Sequence, residues 1–336
     1  MSRARALLTH APDARANYYG ARALAALRAV ADVQLHDSEA PWTAQALADA
    51  ARDCDIIVSD RRTEAGADLL GRLPRLVAFV RCAVDIRNID VDVAGQFGIL
   101  VTQASAGFVA AVSEWVLGAM IDLSRGISAS ASQYRAGTVP VATMGRELRG
   151  ATLGVIGFGQ IGRRVAALGQ ALQMRVLVCD PHAVASAAGA LQVDQPRLLA
   201  ESDYVVCLAT ATPETENLMN AAAFALMKPS AYFINASRGN LVDEAALRSA
   251  LDAGRIAGCA LDVGRAPDQM PTPALAAHSR VIATPHIGGL TLAAIEHQAM
   301  ETVQQVTDIV AGRVPVGAVN AEQAHRLRAR FGTGGR

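Results

Sequence analysis

Three polar side chains that could carry anion-binding and proton-transfer chemistry stand beside apolar runs in the second half of the chain. Arg238 follows AYFINAS, Asp262 ends GCALD and His286 follows VIATP. An arginine offers a forked, permanently charged donor that matches a carboxylate or a carbonyl. A histidine titrates near neutral pH, so it can both give and take a proton. Taken singly, each residue also has an ordinary structural explanation, as a cap, a turn residue or a satisfied histidine.

A glycine-rich loop, GFGQIG, follows the apolar run TLGVI and opens a segment with helical spacing. Gly157 permits a tight turn, Gly159 lets a pyrophosphate approach the backbone, and Gly162 lets the helix pack closely on the strand. The helix start, with Gln160 and Ile161, offers backbone N–H groups and the positive end of the helix dipole to phosphates. The loop predicts a dinucleotide site, and an ordinary strand–helix turn is the alternative.

An acidic residue stands where a dinucleotide site needs one. Asp180 ends the run RVLVCD, 18 residues after Gly162. A carboxylate at this place accepts hydrogen bonds from a ribose diol and repels a 2′-phosphate. The sequence therefore favours NAD over NADP, although His182 and the neighbouring Arg163 and Arg164 could soften that preference.

The elements that must position these residues are short apolar runs that alternate with alanine-rich segments of helical spacing. Continuous apolar runs of this length are typical of parallel strands that are buried on both faces. The helices include 15–29, 42–52, 108–127 and 289–312. The predicted strands form two series, the first at 6–10, 33–36, 55–60, 76–81 and 98–102, and the second at 152–156, 175–180, 203–209, 231–237, 256–263 and 281–285.

Two α/β domains follow from these two series of strands. We predict a discontinuous substrate-binding domain, 1–102 plus 290–336, because the last long helix does not belong to the second series. The intervening residues 103–289 are predicted to form the NAD-binding domain. A chain of 336 residues, of which 51% are hydrophobic, is long enough to build two such cores.

Composition excludes several classes of protein. The 31 basic and 31 acidic residues give no net charge, whereas nucleic-acid and membrane-surface proteins usually carry a basic excess. The five cysteines show no CxxC spacing, which argues against disulfides and a metal site. The N-terminus lacks the apolar core of a secretory signal, and no apolar stretch approaches membrane-spanning length. We therefore expect a cytoplasmic protein.

The motifs GFGQIG, TPETENLMN, NASRGNLVDE, ALDV and TPHIGG, together with Asp180, occur in an order and spacing that resembles the D-isomer-specific 2-hydroxyacid dehydrogenases. The resemblance extends over about residues 50–320 and is strongest over 150–291. It implies an α/β fold of two Rossmann-like or flavodoxin-like doubly wound parallel-sheet domains with a cleft between them. It also implies hydride transfer between NAD and a small anionic 2-hydroxy or 2-oxo acid, and a homodimer.

The resemblance also implies roles for individual residues. Arg238 would bind and polarise the carbonyl and carboxylate of the substrate, and His286 would be the acid/base. Asp262 would hold the carboxamide side of the nicotinamide. Five further positions would line the cofactor site: Val112, Ala209, Thr210, Ala236 and Gly288.

The loop after Asp262 departs from the family pattern. Members usually carry a phenylalanine two residues after this aspartate and a glutamate three residues later, where this chain has Gly264 and Pro267. Asp268 is the neighbouring acid, and one extra residue before it would place it on the glutamate position. We expect Asp268 to pair with His286, and the alternative is a solvated loop acid.

The predicted substrate loop, RCAVDIRNID at 81–90, departs as well. Two family glycines are replaced by Ala83 and Asp85, although the backbone N–H groups of Val84 and Asp85 could still bind a carboxylate. The Asp85 side chain must then point away or pair with Arg81 or Arg87. Four arginines, Arg61, Arg62, Arg81 and Arg87, could read a second anionic group, or they could be solvated or ion-paired surface residues.

Two other functions remain open. An NAD(H)-binding redox-sensing or co-regulatory dimer with little turnover is favoured by the altered loops and opposed by the intact Arg238 and His286. The formate and phosphite dehydrogenase branches share the fold but act on other substrates, and RCAVDIRNID does not clearly favour them.

Overall fold

A computed structural model describes residues 3–183 and 189–332 of the chain. The chain divides into two compact units, which we call unit 1 (Met1–Gly107 with Leu292–Arg336) and unit 2 (Phe108–Thr291). The domain boundaries drawn from the sequence, and the ligand assigned to each domain, stay predictions.

Strands and helices alternate through both units. The strands are β1 (Arg5–Leu8), β2 (Asp32–Leu35), β3 (Ile56–Ser59), β4 (Ala78–Arg81), β5 (Leu100–Gln103), β6 (Thr152–Ile156), β7 (Arg175–Cys179), β8 (Leu191–Gln192), β9 (Tyr204–Cys207), β10 (Tyr232–Asn235), β11 (Gly258–Leu261) and β12 (Val281–Ala283). The helices are α1 (Pro12–Tyr18), α2 (Ala21–Val30), α3 (Ala44–Ala51), α4 (Ala67–Leu70), α5 (Val91–Gln96), α6 (Val109–Arg125), α7 (Ile127–Arg135), α8 (Gln160–Ala171), α9 (Gln195–Glu201), α10 (Ala221–Leu226), α11 (Glu244–Asp252), α12 (Pro273–Ala276), α13 (Leu292–Val310) and α14 (His325–Phe331).

Unit 1 is built on a five-stranded parallel sheet in the order β2-β1-β3-β4-β5. Alternate residues of its strands enter two different cores. Ile56 and Val80 pack in a core with α2 and α13, whereas Ile57 and Phe79 pack in a core with α3 and α4. This burial on both faces explains why the strands are continuous apolar runs.

One predicted helix of unit 1 is wrong in its extent. The segment 15–29 was expected to form a single helix, but the structure has α1 and α2 on either side of Gly20. Gly20 has a backbone φ of +86°, which no helical residue adopts, so the chain turns at this glycine.

Unit 2 contains a seven-stranded parallel sheet in the order β12-β11-β10-β9-β6-β7-β8. This is the dinucleotide-binding order 3-2-1-4-5-6 with one more strand beyond β11. Helices α6 and α8 cover one face, and α9, α10 and α11 cover the other. The sequence did not predict β8, because it has only two residues and both are exposed.

The predicted fold class is confirmed, since both sheets are parallel and are interleaved with helices. No helix in the described part of the chain combines the length and the apolar character needed to cross a membrane. In unit 2, strands β9, β10, β11 and β12 are parallel neighbours, so the loops that follow them leave the same edge of the sheet.

Candidate active site

The three glycines of the glycine-rich loop in unit 2 differ in whether the fold itself requires them. Gly157 has φ +94°, and a Cβ on it would lie 2.5 Å from the backbone nitrogen of Ala209. A Cβ on Gly162 would overlap the carbonyl oxygen of Gly157. A Cβ on Gly159, by contrast, would meet no described atom within 4 Å. The space in front of Gly159 is therefore open to a ligand.

Helix α8 begins directly after this glycine. Gly159 is its N-cap residue, and no side chain among the described residues caps its first turn. The first backbone N–H groups of a helix have no partners within the helix, and here they start at Gln160 and Ile161. An uncapped helix N-terminus beside an open glycine is suited to the pyrophosphate of a dinucleotide, so these residues fit NAD.

Asp180 lies at the end of the neighbouring strand β7 and faces this loop. Its Oδ2 accepts a hydrogen bond from the backbone N–H of Phe158 at 2.6 Å, and its Oδ1 accepts from His182 and Ala183 at 2.7 and 3.0 Å. Partial burial acts to raise the pKa of Asp180, but these three donors lower it below its ordinary value. The site therefore presents a carboxylate, as a ribose diol requires.

Arg238 follows β10 in a tight turn that a neighbouring amide holds. The side chain of Asn235 donates from Nδ2 to the Arg238 carbonyl at 3.0 Å, and its Oδ1 accepts from the backbone N–H of Ser237 at 3.1 Å. The Arg238 guanidinium donates from Nη1 to the Ser237 carbonyl at 2.8 Å. The arginine is half-buried in this turn.

His286 lies in the loop after β12, and the buried carboxylate of Asp262 organises this loop. Oδ1 of Asp262 accepts hydrogen bonds from Thr284 Oγ1 at 2.6 Å and from the Ile287 N–H at 2.8 Å. Its Oδ2 accepts from the Gly288 N–H at 2.7 Å. The donors stand on both sides of His286, whose φ of +56° is left-handed and uncommon outside glycine.

The other cofactor-site candidates of unit 2 stand on the same framework. Ser237 Oγ donates to the Ala209 carbonyl at 2.6 Å, which joins the loop after β9 to the turn after β10. The Thr210 carbonyl accepts from Thr215 Oγ1 at 2.8 Å. Ala236 is half-buried beside the α6 core. The buried Val112 of α6 would be 3.8 Å from a Cβ on Gly289, the residue after Gly288.

Asp268 lies in a short 3-10 helix, Pro267–Gln269, but its side chain lies outside the described part of the structure. Its pairing with His286 therefore stays a prediction. The loop that carries it is tightly placed. Gly264 stands where the family has a phenylalanine, and a Cβ there would lie 2.5 Å from Pro271 Cα. A Cβ on Gly239 would overlap the Gly264 carbonyl, so this loop packs directly on the turn after Arg238.

The candidates in the substrate loop belong to unit 1. Asp85 forms a forked ion pair with Arg87, with Oδ2 and Nη2 2.6 Å apart. Its hydrogen bonds raise the pKa of Arg87. Arg81 is buried and donates to the carbonyls of Asp85 at 3.0 Å and Ser59 at 3.2 Å. The Asp85 charge is thus compensated by Arg87. The half-buried Val84 precedes Asp85 in this loop.

Reasoning from the sequence missed two residues that shape the site, Asn235 and Thr284. Asn235 stands in the motif NASRG, and its position at a strand end could have pointed to a turn-forming role. Thr284 had no such signal, because its partner Asp262 is 22 residues away in the chain.

Residues 117–288 match the family model described as D-isomer specific 2-hydroxyacid dehydrogenase, NAD binding domain. The (S)-sulfolactate dehydrogenase of Chromohalobacter salexigens is 35% identical over 289 residues, covering 78% of this chain and 92% of that protein. The D-3-phosphoglycerate dehydrogenase of Synechocystis is 35% identical over 270 residues, covering 79% of this chain and 49% of that protein. The chain thus spans about half the length of this second relative.

Solved structures extend the similarity over almost the whole chain. The TT0316 protein from Thermus thermophilus superposes with a TM-score of 0.84 at 27% identity, over 94% of this chain and 99% of that chain. The apo D-lactate dehydrogenase of Escherichia coli superposes with a TM-score of 0.81 at 25% identity, with the same coverage.

Proposed function

Because the chain belongs to the D-isomer specific 2-hydroxyacid dehydrogenase family, with residues 117–288 matching its NAD-binding domain, we propose that it interconverts a small D-2-hydroxy acid and its 2-oxo acid. NAD supplies or accepts the hydride when it is bound, as nicotinamide cofactors do. One observation carries the proposal: the turn of Arg238 and the loop of His286 leave the same sheet edge as the glycine-rich loop. This arrangement supports substrate and cofactor sites side by side in unit 2.

The proposed roles follow from the chemistry of the two side chains. The Arg238 guanidinium binds the substrate carboxylate and the adjacent carbonyl oxygen. Its hydrogen bond to the carbonyl oxygen becomes stronger as that oxygen becomes negative during reduction. His286 gives a proton to this oxygen during reduction and takes it from the hydroxyl during oxidation. Asp268, paired with the imidazole, holds the ring in orientation and favours its protonated form.

A substrate panel tests the activity. Wild-type protein is mixed with NADH and a series of 2-oxo acids, and the loss of NADH absorbance is followed. His286→Gln should lower kcat by about 10²–10⁴-fold while NADH binding persists. NADH binding without consumption of any mono- or dicarboxylic 2-oxo acid would favour the alternative, a redox-sensing or co-regulatory dimer.

The Asp268 pairing has its own test. Asp268→Asn should lower kcat for 2-oxo acid reduction and move the alkaline limb of its pH–rate profile to lower pH, because the imidazole loses the charge that favours the protonated form needed to give the proton. An unchanged profile would show that His286 works without this partner. Asp252→Asn, at an exposed aspartate paired with Arg248, is the matched control.

We further propose a homodimer formed through residues 128–149, the arm that follows α6. Helix α7 buries none of its residues, and Tyr134, Val139, Val141 and Met144 are 62%, 77%, 85% and 99% exposed. Exposed apolar residues in one segment are typical of an interface. Val141→Asp together with Met144→Asp should convert a dimer to a monomer in sedimentation equilibrium, whereas a monomeric wild type would contradict the proposal.

A further inference from the structure

Two buried polar side chains at adjacent strand ends of unit 2 point at the loops that carry the proposed functional residues. Asn235 ends β10 and is 1% exposed, and Asp262 follows β11 and is 3% exposed. The backbone N–H of Asp262 donates to the Asn235 carbonyl at 3.1 Å, so the two residues are neighbours across the sheet. Neither side chain is directed at solvent, and both bond to backbone atoms of the loops.

The amide of Asn235 holds the turn of Arg238 from both sides. Its acceptor takes the Ser237 N–H, and its donor reaches the Arg238 carbonyl. A buried amide left without partners costs about 1–3 kcal/mol, so the turn and the amide stabilise one another. The backbone of Arg238 is therefore fixed by the protein itself.

The carboxylate of Asp262 does the same for the loop of His286. Both of its oxygens are occupied by Thr284, Ile287 and Gly288. A left-handed backbone at a residue other than glycine costs about 1–3 kcal/mol and persists only where neighbouring groups impose it. The three bonds to Asp262 supply that constraint around His286.

We propose that Asn235 and Asp262 are positioning residues, Asn235 for Arg238 and Asp262 for His286. The proposal rests on the function proposed above. It assigns a role to Asn235 and gives Asp262 a role in addition to holding the nicotinamide, because three of the about four acceptor positions of its carboxylate bond to the His286 loop. Substrate binding should therefore depend on Asn235, and proton transfer on Asp262.

Asn235→Ser is compared with Asn320→Ser, a matched control. Asn320 is a buried amide of unit 1 that bonds the Val101 N–H at 2.8 Å and the Ile99 carbonyl at 2.9 Å, so its loss removes the same kinds of bond. Asn235→Ser should raise KM for the 2-oxo acid at least about tenfold, as small misplacements do, while Kd for NADH stays within about twofold. Asn320→Ser should lower stability without this rise in KM.

Asn235→Asp is the second variant: it keeps the acceptor for Ser237 but replaces the donor to the Arg238 carbonyl with a charged acceptor oxygen. It should also raise KM. The proposal for Asn235 is overturned if these two variants change KM no more than Asn320→Ser does.

Asp262→Asn tests the second half by separating kcat from cofactor affinity. Asparagine has the size of aspartate but no charge. Its NH₂ group would replace one carboxylate oxygen and could not accept the hydrogen bond that this oxygen takes from the loop. We expect kcat to fall at least about tenfold, by a larger factor than Kd for NADH rises in fluorescence titration. A tenfold weaker Kd at unchanged kcat would instead place Asp262 on the nicotinamide and overturn the proposal. If the wild-type protein oxidised NADH with none of the 2-oxo acids tested, the proposed function itself would be wrong. That outcome differs from an unchanged kcat in the variant of an active enzyme, which would contradict only the positioning role.

Discussion

Gly288 donates its backbone N–H to Asp262 Oδ2 at 2.7 Å, and a Cβ added to Gly288 would lie 2.7 Å from that same oxygen. The carboxylate cannot move aside without losing bonds to Thr284 and Ile287. Gly288→Ala should therefore lower the free energy of unfolding by about 1–3 kcal/mol, as overpacking does, and should also lower kcat. Urea unfolding and steady-state kinetics measure the two effects.

Gly118 provides the control for this substitution. It lies within α6, and a Cβ on it would meet no described atom within 4 Å. Gly118→Ala should be neutral or stabilising by about 0.5–1 kcal/mol, because alanine is the better helix former. If Gly288→Ala and Gly118→Ala had the same effect on the free energy of unfolding and on kcat, the close approach of Asp262 to the loop of His286 would contribute to neither stability nor catalysis.

The glycine-rich loop predicts a separation of stability from cofactor binding. Gly159→Ala places its Cβ in open space at an ordinary φ of −72°, so the melting temperature without cofactor should not change. NADH should no longer raise that temperature, because the methyl group occupies the approach to the backbone. Gly162→Ala should instead destabilise the protein before any cofactor is added, since its Cβ overlaps the Gly157 carbonyl. Thermal melts with and without NADH decide this, and a normal NADH-dependent rise for Gly159→Ala would contradict it.

The fold was accessible from the sequence because buried parallel strands must be apolar along their whole length. Runs such as DIIVSD and LVAFVR contain β3 and β4, which are buried at every position. The exceptions are local. Strand β8 has only two residues, Leu191 and Gln192, which are too few to form an apolar run. The break at Gly20 depends on its positive φ, which the helix-forming residues on either side do not indicate.

The site was less accessible, because its geometry depends on hydrogen bonds between distant segments. The residues for chemistry were named from motifs, and their roles stay predictions. The framework around them was not named. Asn235 acts through the turn that follows it, and the bond from Thr284 to Asp262 exists only because β11 and β12 are paired. The spacing of residues along the chain predicts neither of these hydrogen-bonded contacts.

Asp180 should set the choice between the two nicotinamide cofactors. Its carboxylate accepts three backbone N–H groups, which lower its pKa and keep it charged at neutral pH. A 2′-phosphate beside this charge is repelled. Asp180→Asn should therefore reduce the ratio of kcat/KM for NADH to that for NADPH by about tenfold. Asp194→Asn, which caps α9, is a control for general destabilisation, and a ratio unchanged in Asp180→Asn would show that specificity is set elsewhere.

His10 should make the protein sensitive to mild acid. The ring is buried, its Nδ1 finds no hydrogen-bond partner among the described residues, and it packs 5.3 Å from the Tyr19 ring. Burial lowers the pKa of His10 to about 4; Asp60 opposes this shift, while Arg81 and Arg15 add to it.

The direction of the effect follows from where each state binds the proton. The unfolded chain takes up a proton at His10 near pH 6.5, whereas the folded protein does so only near the lowered pKa of about 4. Between these values the unfolded state binds more protons, so stability falls as the pH falls, by up to about 1.4 kcal/mol per pH unit. His10→Gln should flatten this slope in urea unfolding at pH 7, 6 and 5. His182→Gln, which changes an exposed histidine, should leave the slope of stability against pH as in the wild type. Equal slopes in the wild type and in His10→Gln would show that His10 is not the group responsible.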